Sequence, residues 1–141
     1  MDESLVDQQG HGPLAEEFQR IDAVGDVPSL IREIASLQSK GANAAFAVGT
    51  TQDARNSTAI VLEIEQGGLG LPGRDYYFKS DEPSTALRSA YKSHVARVFA
   101  LAGDDAEIAA ARAGTVLAIE TSLAGASMTR AQAIRLPRIT G

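Results

Sequence analysis

The hydrophobic period of this chain changes twice, and those changes limit what it can fold into. From Pro13 to Val24, Leu14, Phe18, Ile21 and Val24 recur at i, i+4, i+7 and i+10. That is one stripe of an amphipathic helix, with Pro13 in its first turn. Leu30, Ile34 and Leu37 form a second stripe, opened by Asp26-Val27-Pro28 and closed by Lys40-Gly41. So short a link between two helices predicts an antiparallel helical hairpin over 13–40.

From Ala45 to Glu65 the period falls to two. Ala45–Gly49 and Thr58–Glu65 read as strands around the polar turn Asp53–Ser57, which predicts a β-hairpin over 45–66. Ile60, Leu62 and Ile64 then share one face. The helical period returns over 84–126. Ser84 is the expected N-cap of a helix with the stripe Leu87, Tyr91, Val95, Val98 and Ala102, closed by Gly103. Asp104-Asp105 opens the last helix, whose apolar side carries Ala109, Ala113, Val116, Leu123 and Ala124. The run Ala109-Ala110-Ala111 predicts a close helix–helix approach. Between hairpin and helices, Gly67–Pro83 is a long strap loop, glycine-rich and aromatic, of a length that is either functional or structural. The fold class is mainly α with a small antiparallel β-hairpin.

Composition narrows the function. Thirteen Lys and Arg face 18 Asp and Glu in 141 residues, a net charge of −5, so no nucleic-acid partner is expected. Cysteine is absent, which removes disulfides and thiolate chemistry. The amino terminus lacks the basic and apolar regions of a signal peptide, and no apolar run reaches the roughly 20 residues of a membrane span. The compartment stays open.

Each candidate chemistry has a plainer reading. Gly68-Leu69-Gly70-Leu71-Pro72-Gly73 matches G-x-G-x-x-G. Dinucleotide binding needs that loop to open a helix, and Arg74–Pro83 has no helical stripe. His94 has neither the glutamate nor the second histidine of H-E-x-x-H, so a partly buried, hydrogen-bonded core histidine is expected. His11, in Gly10-His11-Gly12-Pro13, is expected in an exposed turn. Glu16-Glu17 and Asp104-Asp105 read as solvated charges. Glu120 falls on the apolar side of the last helix, where a buried carboxylate needs a partner, and a salt bridge to an arginine is expected. Asn56-Ser57-Thr58 is a formal glycosylation sequon in a turn. The residues by themselves describe a mainly helical module without an active site.

Leu69-Gly70-Leu71-Pro72-Gly73-Arg74-Asp75-Tyr76-Tyr77 adds a resemblance. It is similar to the G-L-x-L-P-x-R-D-Y-Y signature in the amino-terminal half of neprilysin-like zinc metallopeptidases, the neprilysin and endothelin-converting enzyme type. Met1-Asp2-Glu3, Asp53, Asn56-Ser57, Tyr91–Val95, Leu101–Gly103 and Glu120–Ala124 agree in order, so the resemblance covers about residues 1–132.

The resemblance implies part of a helical cap lobe over a zinc endopeptidase's catalytic lobe, the two enclosing a cavity that admits peptides and excludes folded proteins. Zinc is expected in the full-length family member. Its H-E-x-x-H ligands, third glutamate ligand and catalytic glutamate have no counterpart here, so no catalytic, cofactor-binding or metal residue carries over. Arg74, Asp75, Tyr76 and Tyr77 are expected to pin the strap structurally. The implied partners are the remainder of the peptidase chain and, in the full-length protein, peptide substrates.

Met1 aligns with an internal methionine of the family, and from Ala133 to Gly141 the resemblance is lost. These departures raise the expectation of an internal fragment with a divergent tail, from a reading frame truncated or shifted near Gln132. This chain alone is then expected to be inactive. A stand-alone interaction module derived from such a lobe is the alternative.

Overall fold

A computed structural model describes residues 10–129 and Gln132. The divergent tail expected over 133–141 lies outside the described residues, as does the amino-terminal Met1-Asp2-Glu3. A 3-10 turn, Gly12–Leu14, leads into α1 (Ala15–Asp22), followed by α2 (Val27–Ser39). Strands β1 (Phe46–Gln52) and β2 (Ile60–Gln66) come next, then a 3-10 turn at Arg74–Tyr77, and finally α3 (Glu82–Leu101) and α4 (Ala106–Ala126). The chain is mainly helical with a two-stranded antiparallel sheet, as the periodicity predicts.

Pro13 lies inside the opening 3-10 turn, where its missing N–H costs nothing. Asp26 caps α2 by accepting from the Ser29 N–H at 2.8 Å, while the Ser29 hydroxyl accepts from the Asp26 N–H at 3.1 Å, a reciprocal capping box. Across the α1–α2 pair, Arg20 lies 3.6 Å from Glu33, and Lys40 is paired with Glu17. These links are ionic, and neither helix has a fully buried side chain.

The hairpin register pairs Val48 with Ile64, Thr50 with Leu62 and Gln52 with Ile60. Facing residues of an antiparallel pair share a side. Ile60, Leu62 and Ile64 do lie together, but that side is open: each is 66% exposed. The apolar face of the sheet looks outward and Val61 lies on the more covered one.

α3 starts earlier than the sequence reading places it. Asp81 is the N-cap, accepting from the Ser84 N–H at 2.9 Å, and Ser84 is buried inside the first turn. The reason is Pro83: at the second helical position its absent donor is one that has no partner anyway. The strap is shortened accordingly. Asp105 caps α4 through the Ile108 N–H at 2.9 Å, so the acidic pair opens that helix as expected.

The tightest packing lies between α3 and α4. Ala109, Ala113 and Ala124 are nearly solvent-free along one side of α4, and their small side chains let the α3 backbone come close. The predicted α3 stripe holds at Tyr91, Val95 and Ala102 but drifts off the contact at Val98, which is half exposed. Leu71, Tyr77 and Ala124 form the buried centre, with Leu69, Tyr91 and Leu117 packed around it. The strap thus folds over the α3–α4 pair and supplies half of its core.

Candidate functional site

One buried carboxylate organises this region. Glu120 is only 9% exposed and faces two tyrosines from two other elements. Tyr77, in the strap's 3-10 turn, donates its hydroxyl hydrogen to Glu120 Oε2 at 2.6 Å. Tyr91, on α3, donates to Oε1 at 2.7 Å. The Tyr77 oxygen in turn accepts from the Leu71 N–H at 3.0 Å, so the chain of hydrogen bonds returns to the strap. Charge-assisted O–H donors at this length are strong, and two of them satisfy both carboxylate oxygens without a cation.

The expected Glu120–arginine salt bridge is therefore not what the fold uses. A buried guanidinium would add the desolvation cost of a second charge, whereas two tyrosines contribute ring area to the core and one hydroxyl each. Burial first, and the neighbouring carboxylate second, push the Tyr77 phenol up to about 12 and the Tyr91 phenol also upward. Both hydroxyls stay protonated donors through the neutral range.

The glycines of the strap are explained by packing. Gly68 has φ +73°, and a Cβ there would stand 2.6 Å from the Ala45 Cα. A Cβ on Gly70 would overlap the Tyr91 hydroxyl and ring. After Gly73 comes a four-residue 3-10 turn, not the helix a pyrophosphate site requires.

Arg74, Asp75, Tyr76 and Tyr77 divide the work unequally. Tyr77 is the anchor. Arg88 of α3 is the second fastening, donating from Nη1 to the Tyr76 and Lys79 carbonyls at 2.7 Å each. Sequence reasoning missed Arg88, because no residue type signals a side chain that caps a loop's carbonyls. It also read Tyr91 as apolar; a tyrosine amid a helix stripe opposite a glutamate on the next helix is the signal that could have found it. Arg74 and Asp75 approach to 3.7 Å, and Arg74 Cζ lies 5.1 Å from the Phe78 ring centroid.

The strap and the end of α4 enclose an open cavity of about 580 Å³. Its wall includes Gly68, Leu69, Leu71, Arg74, Tyr76 and Met128. Gln66 closes one side by accepting from the Met128 N–H at 2.9 Å.

The remaining candidates are scattered. His94 is exposed on α3, contrary to the core position expected for it, because it lies beside the stripe and not on it. His11 is exposed in its turn, 6.4 Å from the Phe18 ring by centroids. Glu17 is held below the usual carboxylate range by hydrogen bonds from Lys40 and then Arg20. Asp104 pairs with Arg112 at 3.0 Å, so the first acid of that pair is engaged in an ion pair. Asn56 Oδ1 accepts from the Thr58 N–H at 3.2 Å, which closes the sequon's turn. Among the described residues no three His, Asp or Glu side chains gather where a metal could be held, and no helix is long and apolar enough to cross a membrane.

Comparison with known proteins accounts for the signature around Arg74. The chain matches the amino-terminal model of Peptidase family M13 over residues 1–138. It is 33% identical to human endothelin-converting enzyme-like 1 over 121 residues, 86% of this chain and 15% of that protein. With human endothelin-converting enzyme 1 it shares 35% identity over 79 residues, 56% of this chain and 10% of that protein. Among solved structures it is similar to the Mycobacterium tuberculosis zinc metalloprotease Zmp1. Zmp1 in complex with an inhibitor gives a TM-score of 0.81 at 34% identity, covering 90% of this chain and 19% of Zmp1. Zmp1 in its open state gives 0.83 at 33%, covering 93% and 20%. The chain thus spans about a tenth to a fifth of the length of these relatives, and it belongs to peptidase family M13, in the neprilysin and endothelin-converting enzyme group.

Proposed function

We propose that this chain acts as part of the cap lobe of a zinc metalloendopeptidase, shaping the space in which oligopeptides are held. One observation carries the reading: a clasped strap-and-helix fold that superposes on a fifth of Zmp1, a zinc metalloprotease, at a TM-score of 0.83. Residues 1–132 are the lobe portion in this reading. Among the described residues nothing fits a zinc site, since His11 and His94 lie on separate elements and no group of three His, Asp or Glu gathers around either. Zinc, its ligands and the catalytic glutamate belong to the remainder of an M13-length chain, which is the proposed partner. The contribution from this side is form: Glu120, Tyr77 and Tyr91 hold the strap against α3 and α4, and the strap's outer surface becomes wall. Rigid walls matter because peptide hydrolysis by metal-activated water needs the scissile bond positioned to within about an ångström.

A chimera tests this. The matched fifth of Zmp1 is replaced by this chain, and chelator-sensitive cleavage of a short peptide is measured beside cleavage of a folded protein. The expected result is a zinc-loaded chimera that cleaves the peptide and spares the folded protein. A folded, zinc-loaded chimera that cleaves both alike would overturn the cap role. A chimera that fails to assemble, from a chain that is monodisperse alone, would favour the stand-alone interaction module.

A further inference from the structure

Strand β2 keeps an open outer edge, and the hairpin register says which residues form it. The Asp53 N–H donates to the Ala59 carbonyl at 3.0 Å, continuing the Gln52–Ile60 pairing. Backbone groups alternate in direction along a strand, so Val61 and Glu63 turn theirs toward β1. Ile60, Leu62 and Ile64 turn theirs away from it. Among the described residues none of those outward N–H and C=O groups has a hydrogen-bond partner. The outer edge of β1 is different at its start: the Phe46 carbonyl accepts from Gln38 Nε2 of α2 at 2.7 Å, and the Phe46 N–H donates to the Ala44 carbonyl at 2.8 Å. β2 also lacks the usual guards of a free edge, with no Pro, no Lys and no bulge in its register.

The edge is complementary to itself. With a second β2 running antiparallel and Leu62 opposite Leu62, Ile60 falls opposite Ile64 and Ile64 opposite Ile60. All three are pairs of outward-turned residues, and each pair exchanges two backbone hydrogen bonds. Glu63 then faces Val61 and Glu65 faces Ala59, so no carboxylate stands directly opposite another. Moving the two-fold axis to Ile64 sets Glu63 against Glu65, and moving it to Val61 leaves Ile64 facing Thr58. The charge pattern therefore selects a copy of the same strand, in one register. Such a contact is isologous: each edge satisfies the other, and growth stops at two chains.

We propose that this chain forms a two-fold dimer through the outer edge of β2, centred on Leu62, joining two hairpins into one four-stranded antiparallel sheet. The axis is perpendicular to the sheet, so Ile60, Leu62 and Ile64 of both copies lie on the same side and the apolar face widens while staying open. The pairing goes beyond the cap-lobe reading and stands without it.

The test uses the full 141-residue chain, which has no cysteine of its own. Sedimentation equilibrium over a range of concentrations is expected to pass from one chain mass to two and to stop there. Over the same range, amide exchange at Leu62 and Ile64 should slow while that at Val48 and Thr50 does not. Single-cysteine variants then read the register under mild oxidation. Facing Cα atoms lie about 5.5 Å apart, within reach of a disulfide, whereas residue 60 of one copy stands more than about 13 Å from residue 60 of the other. Leu62→Cys is expected to link at least about tenfold faster than Ile60→Cys or Ile64→Cys alone, and a mixture of those two to link with each other. Leu101→Cys, at an 80% exposed position of α3, measures random collision. A single-chain mass at every concentration would overturn the proposal and leave the edge to a segment from the remainder of an M13-length chain. Growth past two chains, slowed exchange at Val48 and Thr50 instead, or Leu62→Cys linking no faster than Leu101→Cys would each overturn it as well. The mass and exchange measurements need no variant, so a misfolded one leaves the outcome decidable.

Discussion

Tyr77 and Glu120, 43 residues apart, meet through a 2.6 Å hydrogen bond that fastens the strap to the last helix. Tyr91 completes the clasp from α3, so three elements converge on one carboxylate. Replacing Glu120 by Ala leaves two tyrosine hydroxyls without their acceptor, and a loss of about 3 kcal/mol is expected. Glu120→Gln keeps one good acceptor and should cost roughly half as much. Urea denaturation of both variants gives the comparison; equal midpoints for Glu120→Ala and the parent chain would dismiss the clasp as a stabilising feature.

Gly70 makes a second, independent check on the clasp. A methyl there competes for the space of the Tyr91 ring and hydroxyl. Gly70→Ala should destabilise by about 2 kcal/mol, an overpacking cost. In a Tyr91→Ala background the same substitution should cost far less, since the obstacle is gone. Additive losses across this double-mutant cycle would contradict the geometry.

Alkaline pH should loosen the strap. The Tyr77 phenol, pushed up to about 12 in the folded chain by burial and then by Glu120, titrates near 10 when unfolded. The folded state therefore holds its proton more tightly. The associated stability is complete below pH about 10 and is lost as pH rises through about 12. Melting temperature should stay level up to pH 10 and then fall, with a shallower fall in Tyr77→Phe. Equal slopes for parent and variant would refute the assignment.

Arg88 should act on the strap and hardly at all on the α3–α4 contact. Its two 2.7 Å bonds to the Tyr76 and Lys79 carbonyls are charge-assisted, worth on the order of 1.5 kcal/mol each. Arg88→Met is expected to speed amide exchange over residues 74–79 by about tenfold or more while the α4 amides change little. Uniform acceleration throughout the chain would mean that Arg88 supports the whole fold.

The open sheet face predicts stickiness. Ile60, Leu62 and Ile64 present a contiguous apolar surface, the kind that marks a contact with another protein surface. The isolated chain should bind a hydrophobic dye, and Leu62→Lys should reduce that binding by about half with little change in the melting transition. Dye binding that survives Leu62→Lys and Ile64→Lys together would move the sticky surface elsewhere.

Much of the fold was legible one residue at a time. Asp26, Gly41, Gly103 and Asp105 mark helix ends because capping is a local negotiation between a side chain and the nearest unpaired backbone groups. Where two local signals compete, the reading slipped: Ser84 and Asp81 are both good caps, and the tolerance of Pro83 for the first helical turn favoured the earlier one.

The partners of Glu120 and the side on which the hairpin lies were decided elsewhere. Burial of a carboxylate on the inner side of α4 follows from spacing alone, so the need for a partner was readable in sequence. Which groups answer that need depends on the strap's path, which brings Tyr77 back over the α3–α4 contact. In the same way, period two showed that Ile60, Leu62 and Ile64 share a side, but no alternation tells inward from outward. The sequence by itself determined the elements and most of the helix caps, because those follow from contacts within a few residues. The tertiary structure alone decided which faces meet, because that rests on groups 29 and 43 residues from Glu120 converging on the two oxygens of its carboxylate.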